Sequence, residues 1–111
     1  MEPLRHKSYL STLMAFKKFY PCRCSALDLA SKGIRVNAVN PGLIKTEIFQ
    51  KGGITGDLHD HMMEEEIKRH PIGRLGTVED VAALIEFLAS SQATFITGNT
   101  VGIDGGRALM T

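Results

Sequence analysis

Two short β-type runs stand far apart in this chain, and the stretch between them holds a strongly periodic helix. The first run is Ile34 to Val39, where Ile34, Val36 and Ala38 alternate with Arg35, Asn37 and Val39, the period of a strand. It stops at Asn40-Pro41-Gly42, a strong turn signal. The second covers Asn99 to Ile103 and closes on Asp104-Gly105-Gly106. Between them Val78, Val81, Ala82, Ile85, Leu88 and Ala89 recur at three- and four-residue spacing. Thr77 stands ready to cap that helix, with Glu79 and Asp80 in its first turn. Strands joined through a helical crossover run parallel. The chain therefore reads as α/β, with no internal repeat and no low-complexity tract.

The flanking segments fill in the order. Residues 26–32 are the end of a helix, with Leu27, Leu29 and Ala30 able to face a core. Lys32 meets the negative end of that helix, and Gly33 suits the left-handed position just past it. Pro21 argues for a break or kink upstream. From Leu43 to Gly76 the chain is a long crossover, loosened by Gly52, Gly53 and Gly56. Asp57 or Asp60 is the expected cap of a helix running to Arg69, with Pro71 and Gly73 ending it.

Composition narrows the function classes. The formal net charge is +1, which gives no global electrostatic reason to bind nucleic acid or a membrane surface. No apolar run approaches the ~18 residues of a membrane helix. Cys22 and Cys24 are too close in sequence to pair readily, so free thiols and a reducing, cytoplasmic setting are expected, with a mitochondrial location as the alternative. Arg5, His6 and Lys7 before the Tyr9–Phe16 stretch look like a weak targeting signal, but Ser11, Thr12, Lys17 and Lys18 spoil it. No metal site is expected. His59 and His61 are two residues apart, which on a helix separates them by about 200°, so they and Glu64 to Glu66 read as a solvated face. Met62 and Met63 read as packing.

The ordered motifs resemble one family. Lys-Gly-Ile-Arg-Val-Asn-Ala-Val-Asn-Pro-Gly at 32–42 continues to Ile44 and Thr46. His-Pro-Ile-Gly-Arg-Leu-Gly-Thr-Val-Glu-Asp-Val-Ala at 70–82 follows, then Phe87-Leu88-Ala89-Ser90, Ile96-Thr97-Gly98 and Val101-Gly102-Ile103-Asp104-Gly105-Gly106. Together they resemble the C-terminal part of the short-chain dehydrogenase/reductase family, in its 3-oxoacyl-acyl-carrier-protein-reductase-like branch. The resemblance covers about residues 26–107. It divides the chain into a divergent segment, 1–25, and the family portion, 26–111.

What the resemblance implies is the C-terminal portion of a Rossmann-like, doubly wound parallel sheet, incomplete here, whose ligands bind beyond the carboxyl ends of the strands. It implies an oxidoreductase that uses NAD or NADP on a carbonyl/alcohol pair. Pro41, Gly42, Ile44 and Thr46 would contact the nicotinamide end of the cofactor: Ile44 through its backbone groups, Thr46 through its hydroxyl near the carboxamide or the pyrophosphate, Gly42 by letting the backbone come close. Residues 47–70 would be the substrate lid. The partner would be a small carbonyl or alcohol compound, and a complete form would be a homo-oligomer. Asn37, an unusual strand residue, is expected to tie backbone to backbone.

Two of the family's motifs are not found. A glycine-rich pyrophosphate turn opening a helix has only a decoy, Thr97-Gly98-Asn99-Thr100-Val101-Gly102, which reads as a turn entering the last strand. No Tyr-x-x-x-Lys occurs; counting back from Ala26, its slots fall at Ser11 and Ala15, and Tyr9 and Tyr20 are followed by Leu13 and Cys24. No catalytic residue is therefore assigned. The chain alone is expected not to bind the dinucleotide appreciably and to be inactive. The alternatives are a non-catalytic product that associates with full-length relatives, or a fragment without function. An open sheet edge at Ile34–Val39 is expected to make the isolated chain prone to aggregation.

Overall fold

Helix α1 (Tyr20–Ala30) ends in a complete Schellman closure. Gly33 adopts φ 71°, its N–H donates to Ala30 C=O at 3.0 Å, and the Ile34 N–H reaches back to Leu29 C=O at 3.2 Å. Those two bonds satisfy carbonyls that the helix end leaves open. Pro21 stands within the described helix, one residue after its first described residue, Tyr20. The buried face is Cys22, Ala26 and the half-buried Leu29. Leu27 is 79% exposed, contrary to expectation, because it stands about 200° around the helix from Leu29.

The computed structural model describes residues 11–12 and 20–110; the targeting-like residues Arg5, His6, Lys7, Tyr9 and Lys17–Lys18, and the Ala15 slot, lie outside them. Three strands form one sheet in the order β1-β2-β3. Strand β1 is Ser11–Thr12, β2 is Val36–Pro41 and β3 is Thr100–Ile103. β1 runs parallel to β2, with Ser11 opposite Val36 and Thr12 opposite Asn37. This corrects the expectation of an open edge at Ile34–Val39: β2 is the central strand. A strand of two residues in the segment read as divergent carries too little periodicity to be seen in sequence.

Burial on β2 does not alternate. Val36, Asn37, Ala38 and Val39 are all at most 2% exposed, as befits a parallel strand covered on both faces. The core joins Cys22 and Ala26 of α1 to Val36 and Ala38, with Leu29 and Ile34 packed beside them. Burial pushes the Cys22 thiol up from its usual range, and its Sγ points at Val36 C=O, 3.6 Å away. Cys24 is free and exposed.

The described residues divide into two compact units. One runs to Asn40 and includes Ala83–Val101. In it, the Ala38 N–H donates to Asn99 C=O at 2.8 Å and the Gly98 N–H to Val36 C=O at 2.7 Å. The fully buried Asn37 does what its strand position predicts: its Nδ2 donates to Ile96 C=O at 2.9 Å, and its Oδ1 accepts from the Asn99 N–H at 3.1 Å. Thr97 Oγ1 accepts from the Val36 N–H, so Thr97-Gly98-Asn99 is a turn entering β3. Arg35 closes the last turn of helix α4 (Val78–Ala89), its guanidinium donating to Leu88 C=O at 2.7 Å and Ser90 C=O at 3.2 Å. A cation at a helix C-terminus is favoured both by the open carbonyls and by the dipole.

The second unit comprises Pro41–Ala82 and the segment from Gly102. It contains a short helix, α2 (Ile48–Lys51), and a longer one, α3 (Gly56–Lys68). Thr55, not Asp57 or Asp60, occupies the N-cap of α3. Gly56 enters with φ 67°, a turn that starts the helix just before the aspartates. His70 closes the far end, its Nδ1–H donating to Glu66 C=O at 2.5 Å. No helix among the described residues is long and apolar enough to cross a membrane.

Asn37→Ala should cost roughly 1–3 kcal/mol of stability, because it removes both hydrogen bonds of a buried side chain in the central strand. Asn37→Asp should be at least as damaging, since a carboxylate cannot donate to Ile96 C=O. Equilibrium denaturation checks both; a loss below about 1 kcal/mol for either would mean the bridge is dispensable.

Candidate functional site

The chain leaves β2 at its carboxyl end through the residues singled out in sequence. Pro41 is the last strand residue and half-buried. The Gly42 N–H donates to Ile103 C=O at 3.0 Å. A Cβ on Gly42 would lie 2.8 Å from Asp104 Cβ and 2.9 Å from Asp104 Cα. Its bare backbone therefore has a cause within the protein: it lets β2 and β3 close together. Asp104 is held firmly, its carboxylate accepting from the Gly106 and Ala108 N–H groups at 3.0 Å each.

Next the segment is pinned from one side only. The Lys45 N–H donates to Gly76 C=O at 2.8 Å, and the Gly76 N–H to Leu43 C=O at 3.1 Å, a parallel bridge centred on Ile44 and Gly76. In such a bridge the N–H and C=O of the central residue point away from the partner. Ile44's own backbone groups accordingly have no partner among the described residues. A Cβ on Gly76 would sit 2.5 Å from Ile44 Cδ1, so the glycine makes room for the Ile44 side chain. Thr46 is exposed, and its Oγ1 accepts loosely from the Ile48 N–H at 3.4 Å as α2 begins.

Ile44 and Thr46 open onto a cleft of about 660 Å³ that α2, α3 and the Arg74–Leu75 loop enclose. Its walls are largely apolar: Ile44, Phe49, Met63, Ile67 and Leu75. Pro41 and Gly42 are not on its lining. His59 is not on a solvated face as the sequence suggested. Its side chain is 18% exposed, and its Nε2 stands 3.1 Å from Gln50 Nε2. The i, i+4 and i, i+8 positions Met63 and Ile67 share its side of α3, the signal that could have placed it. No group of His, Cys, Asp and Glu able to hold a metal occurs among the described residues.

The loop that floors the cleft is anchored to α4. Thr77 and Asp80 form a reciprocal capping box: the Asp80 N–H donates to Thr77 Oγ1 at 3.2 Å and the Thr77 N–H to Asp80 Oδ2 at 2.8 Å. Arg74 adds a two-pronged bond to the same carboxylate, at 2.7 and 3.3 Å. Arg74 first, then Thr77, hold the Asp80 carboxyl far below the usual aspartate range.

Comparison with known proteins settles the family. Residues 20–108 match the family described as enoyl-(acyl carrier protein) reductase. The chain belongs to the short-chain dehydrogenase/reductase family. It is 44% identical over 84 residues to a 3-oxoacyl-(acyl-carrier-protein) reductase FabG of Thermotoga maritima, a match covering 76% of this chain and 32% of that protein. A short chain dehydrogenase family protein from Francisella tularensis superposes with a TM-score of 0.69 at 32% identity, over 83% of this chain and 40% of that one. A 4-hydroxyisoleucine dehydrogenase complexed with NADH gives the same TM-score at 29% identity, over 84% of this chain and 35% of that one. The chain thus spans about a third of the length of the curated relatives it matches. The fold is the α/β, Rossmann-type parallel sheet that the motifs implied.

Because the folded state depresses the Asp80 carboxyl, the unfolded chain binds that proton more readily as pH falls. The stabilisation is complete above the ordinary aspartate range near ~3.9 and is lost progressively below it. Thermal melts should therefore show Asp80→Asn less stable than the parent at about pH 7, with the gap shrinking toward about pH 2. A gap that stays constant would show the charge to be irrelevant. Thr77→Ala should cost about 1 kcal/mol at neutral pH.

Proposed function

We propose that this chain supplies the nicotinamide-facing turn and the substrate lid of an NAD- or NADP-dependent oxidoreductase acting on a carbonyl/alcohol pair. The observation that carries the reading is the one-sided pinning of Leu43–Lys45. It leaves the Ile44 N–H and C=O without a partner among the described residues, at the carboxyl end of a parallel strand, where ligands of such sheets bind. A carboxamide needs one donor and one acceptor, and Ile44 offers that complement on a fixed backbone. Thr46 adds a hydroxyl whose hydrogen is free to donate while its oxygen accepts from Ile48. Pro41 stiffens the end of β2, and Gly42 keeps the β3 exit close behind it. When bound, the dinucleotide supplies or accepts the hydride. The residues here orient its nicotinamide ring, and residues 47–70 cover the substrate side and limit water.

The polypeptide of 111 residues is proposed to be inactive by itself, because it contains neither a phosphate-binding glycine turn nor a Tyr-x-x-x-Lys pair. The free thiols of Cys22 and Cys24 support a reducing compartment, and we place the protein in the cytosol. Phe87, 43% exposed on α4, and Phe95, fully exposed after it, support a self-associating surface in a complete form.

Calorimetric titration of the 111-residue chain with NADH and with NADPH should show no measurable binding; micromolar affinity for either would overturn the proposed inactivity. In a holoenzyme carrying this segment, Thr46→Ala should weaken cofactor binding by roughly 0.5–1.5 kcal/mol, the worth of one hydrogen bond. An unchanged affinity would remove Thr46 from the cradle.

A further inference from the structure

Gly76 holds the Leu43–Lys45 edge through two peptide planes, and a charged side chain holds the far end of each plane. The first plane carries the Leu75 C=O and the Gly76 N–H. Its N–H donates to Leu43 C=O at 3.1 Å, and its C=O accepts from the Arg74 guanidinium at 3.0 Å. The second carries the Gly76 C=O and the Thr77 N–H. Its C=O accepts from the Lys45 N–H at 2.8 Å, and its N–H donates to Asp80 Oδ2 at 2.8 Å. Both peptide bonds are trans, so in each the C=O and N–H point to opposite sides. The two charges are themselves joined, Arg74 bonding both Asp80 oxygens at 2.7 and 3.3 Å. The whole arrangement lies in the unit that contains Ile44.

This clamp has a direction. A peptide whose C=O accepts from a cation becomes a better N–H donor, and one whose N–H donates to a carboxylate becomes a better C=O acceptor. Arg74 thus strengthens the bond from Gly76 to Leu43, and Asp80 the bond from Lys45 to Gly76. The bridge needs an outside restraint, because a Cβ on Gly76 would lie 2.5 Å from Ile44 Cδ1. It is therefore made by the residue type with the widest backbone freedom. Capping of α4 does not account for Arg74, since Thr77 and Asp80 complete that box between them. Stability does not account for it either. The two side chains are 53% and 34% exposed, where an ion pair contributes little.

We propose that Arg74 and Asp80 are positioning residues for the cofactor-facing edge: by clamping the two peptide planes at Gly76 they set where the Ile44 N–H and C=O stand. The inference rests on reading Ile44 as the nicotinamide contact. Both side chains act through the backbone and not by touching the dinucleotide.

The test is amide hydrogen exchange, followed by NMR on the 111-residue chain without ligand. Arg74→Met keeps the length of the side chain and removes its charge. It should speed exchange at the Gly76 and Lys45 amides roughly tenfold, and Asp80→Asn should do the same. The Ile72 amide, bonded to Gly105 C=O in the same unit, should stay within about twofold of its parent rate. Arg74→Lys keeps a cation beside Asp80 but lacks the fork that also reaches Leu75 C=O. It should therefore restore the Lys45 amide and leave the Gly76 amide fast. The unmodified chain gives a measurement that needs no variant to fold. Raising salt from about 0.05 to about 1 M screens the pair and should speed Gly76 and Lys45 relative to Ile72. Unchanged exchange at both amides in either neutral variant overturns the proposal. So does a loss shared equally by Ile72, full protection of Gly76 in Arg74→Lys, or indifference of both amides to salt. Were Ile44 not the nicotinamide contact, this exchange pattern would stand, and a holoenzyme carrying the segment would show no change at the Ile44 amide on adding dinucleotide.

Discussion

A single carboxamide, that of Asn37, holds the ends of the chain's long crossover together. It sits in the central strand with 1% exposure, donates to Ile96 C=O and accepts from the Asn99 N–H. A backbone ladder alone fixes pairing weakly, because a parallel strand buried on both faces has no polar face to punish a slip. A buried amide with two defined partners does punish it. Any shift of the turn at Ile96–Asn99 against β2 leaves the buried Asn37 amide without its two partners, which is costly.

In the second unit the Gly42 N–H donates to Ile103 C=O. Gly42 then allows Asp104 to approach, and Asp104 is locked in its own turn. Beyond it Gly76 takes one edge of Leu43–Lys45 and leaves the other edge, Ile44's, open. The proposed binding at this end is therefore a matter of which backbone groups the fold has not consumed. The cleft is floored by a loop whose geometry depends on the Arg74–Asp80–Thr77 cluster, so an exposed ion pair shapes the site though it contributes little to stability by itself.

Much of this was legible in sequence where local chemistry and periodicity agreed. The Gly33 closure, the Thr77 cap and the apolar spacing of α4 each depend on a few adjacent residues, whereas the strand expected to stop at Asn40-Pro41-Gly42 runs on through Pro41. Asn37 was legible because an amide in a strand has few other uses. The family itself was legible from the ordered motifs. Other features were hidden for physical reasons. β1 is too short to show a period. The phase of α1 could not be set while its beginning was unknown, so Leu27 was placed on the wrong face. His59 was judged against His61 alone, whereas its partners are Gln50, across a glycine-containing turn, and Met63 and Ile67 further along the helix. Arg35 looked like an outward strand residue, but its hydrogen bonds run to carbonyls at the end of α4.

Native-state hydrogen exchange at the Asn99 amide tests the claim on which the rest stands, since that N–H is bonded to a side chain and not to a strand backbone. The account requires it to exchange only through global opening, at the same slow rate as the Ala38 amide in the ladder. Exchange at the rate of an exposed loop amide, with Ala38 still protected, would contradict it. The strands would then hold their register without the Asn37 bridge.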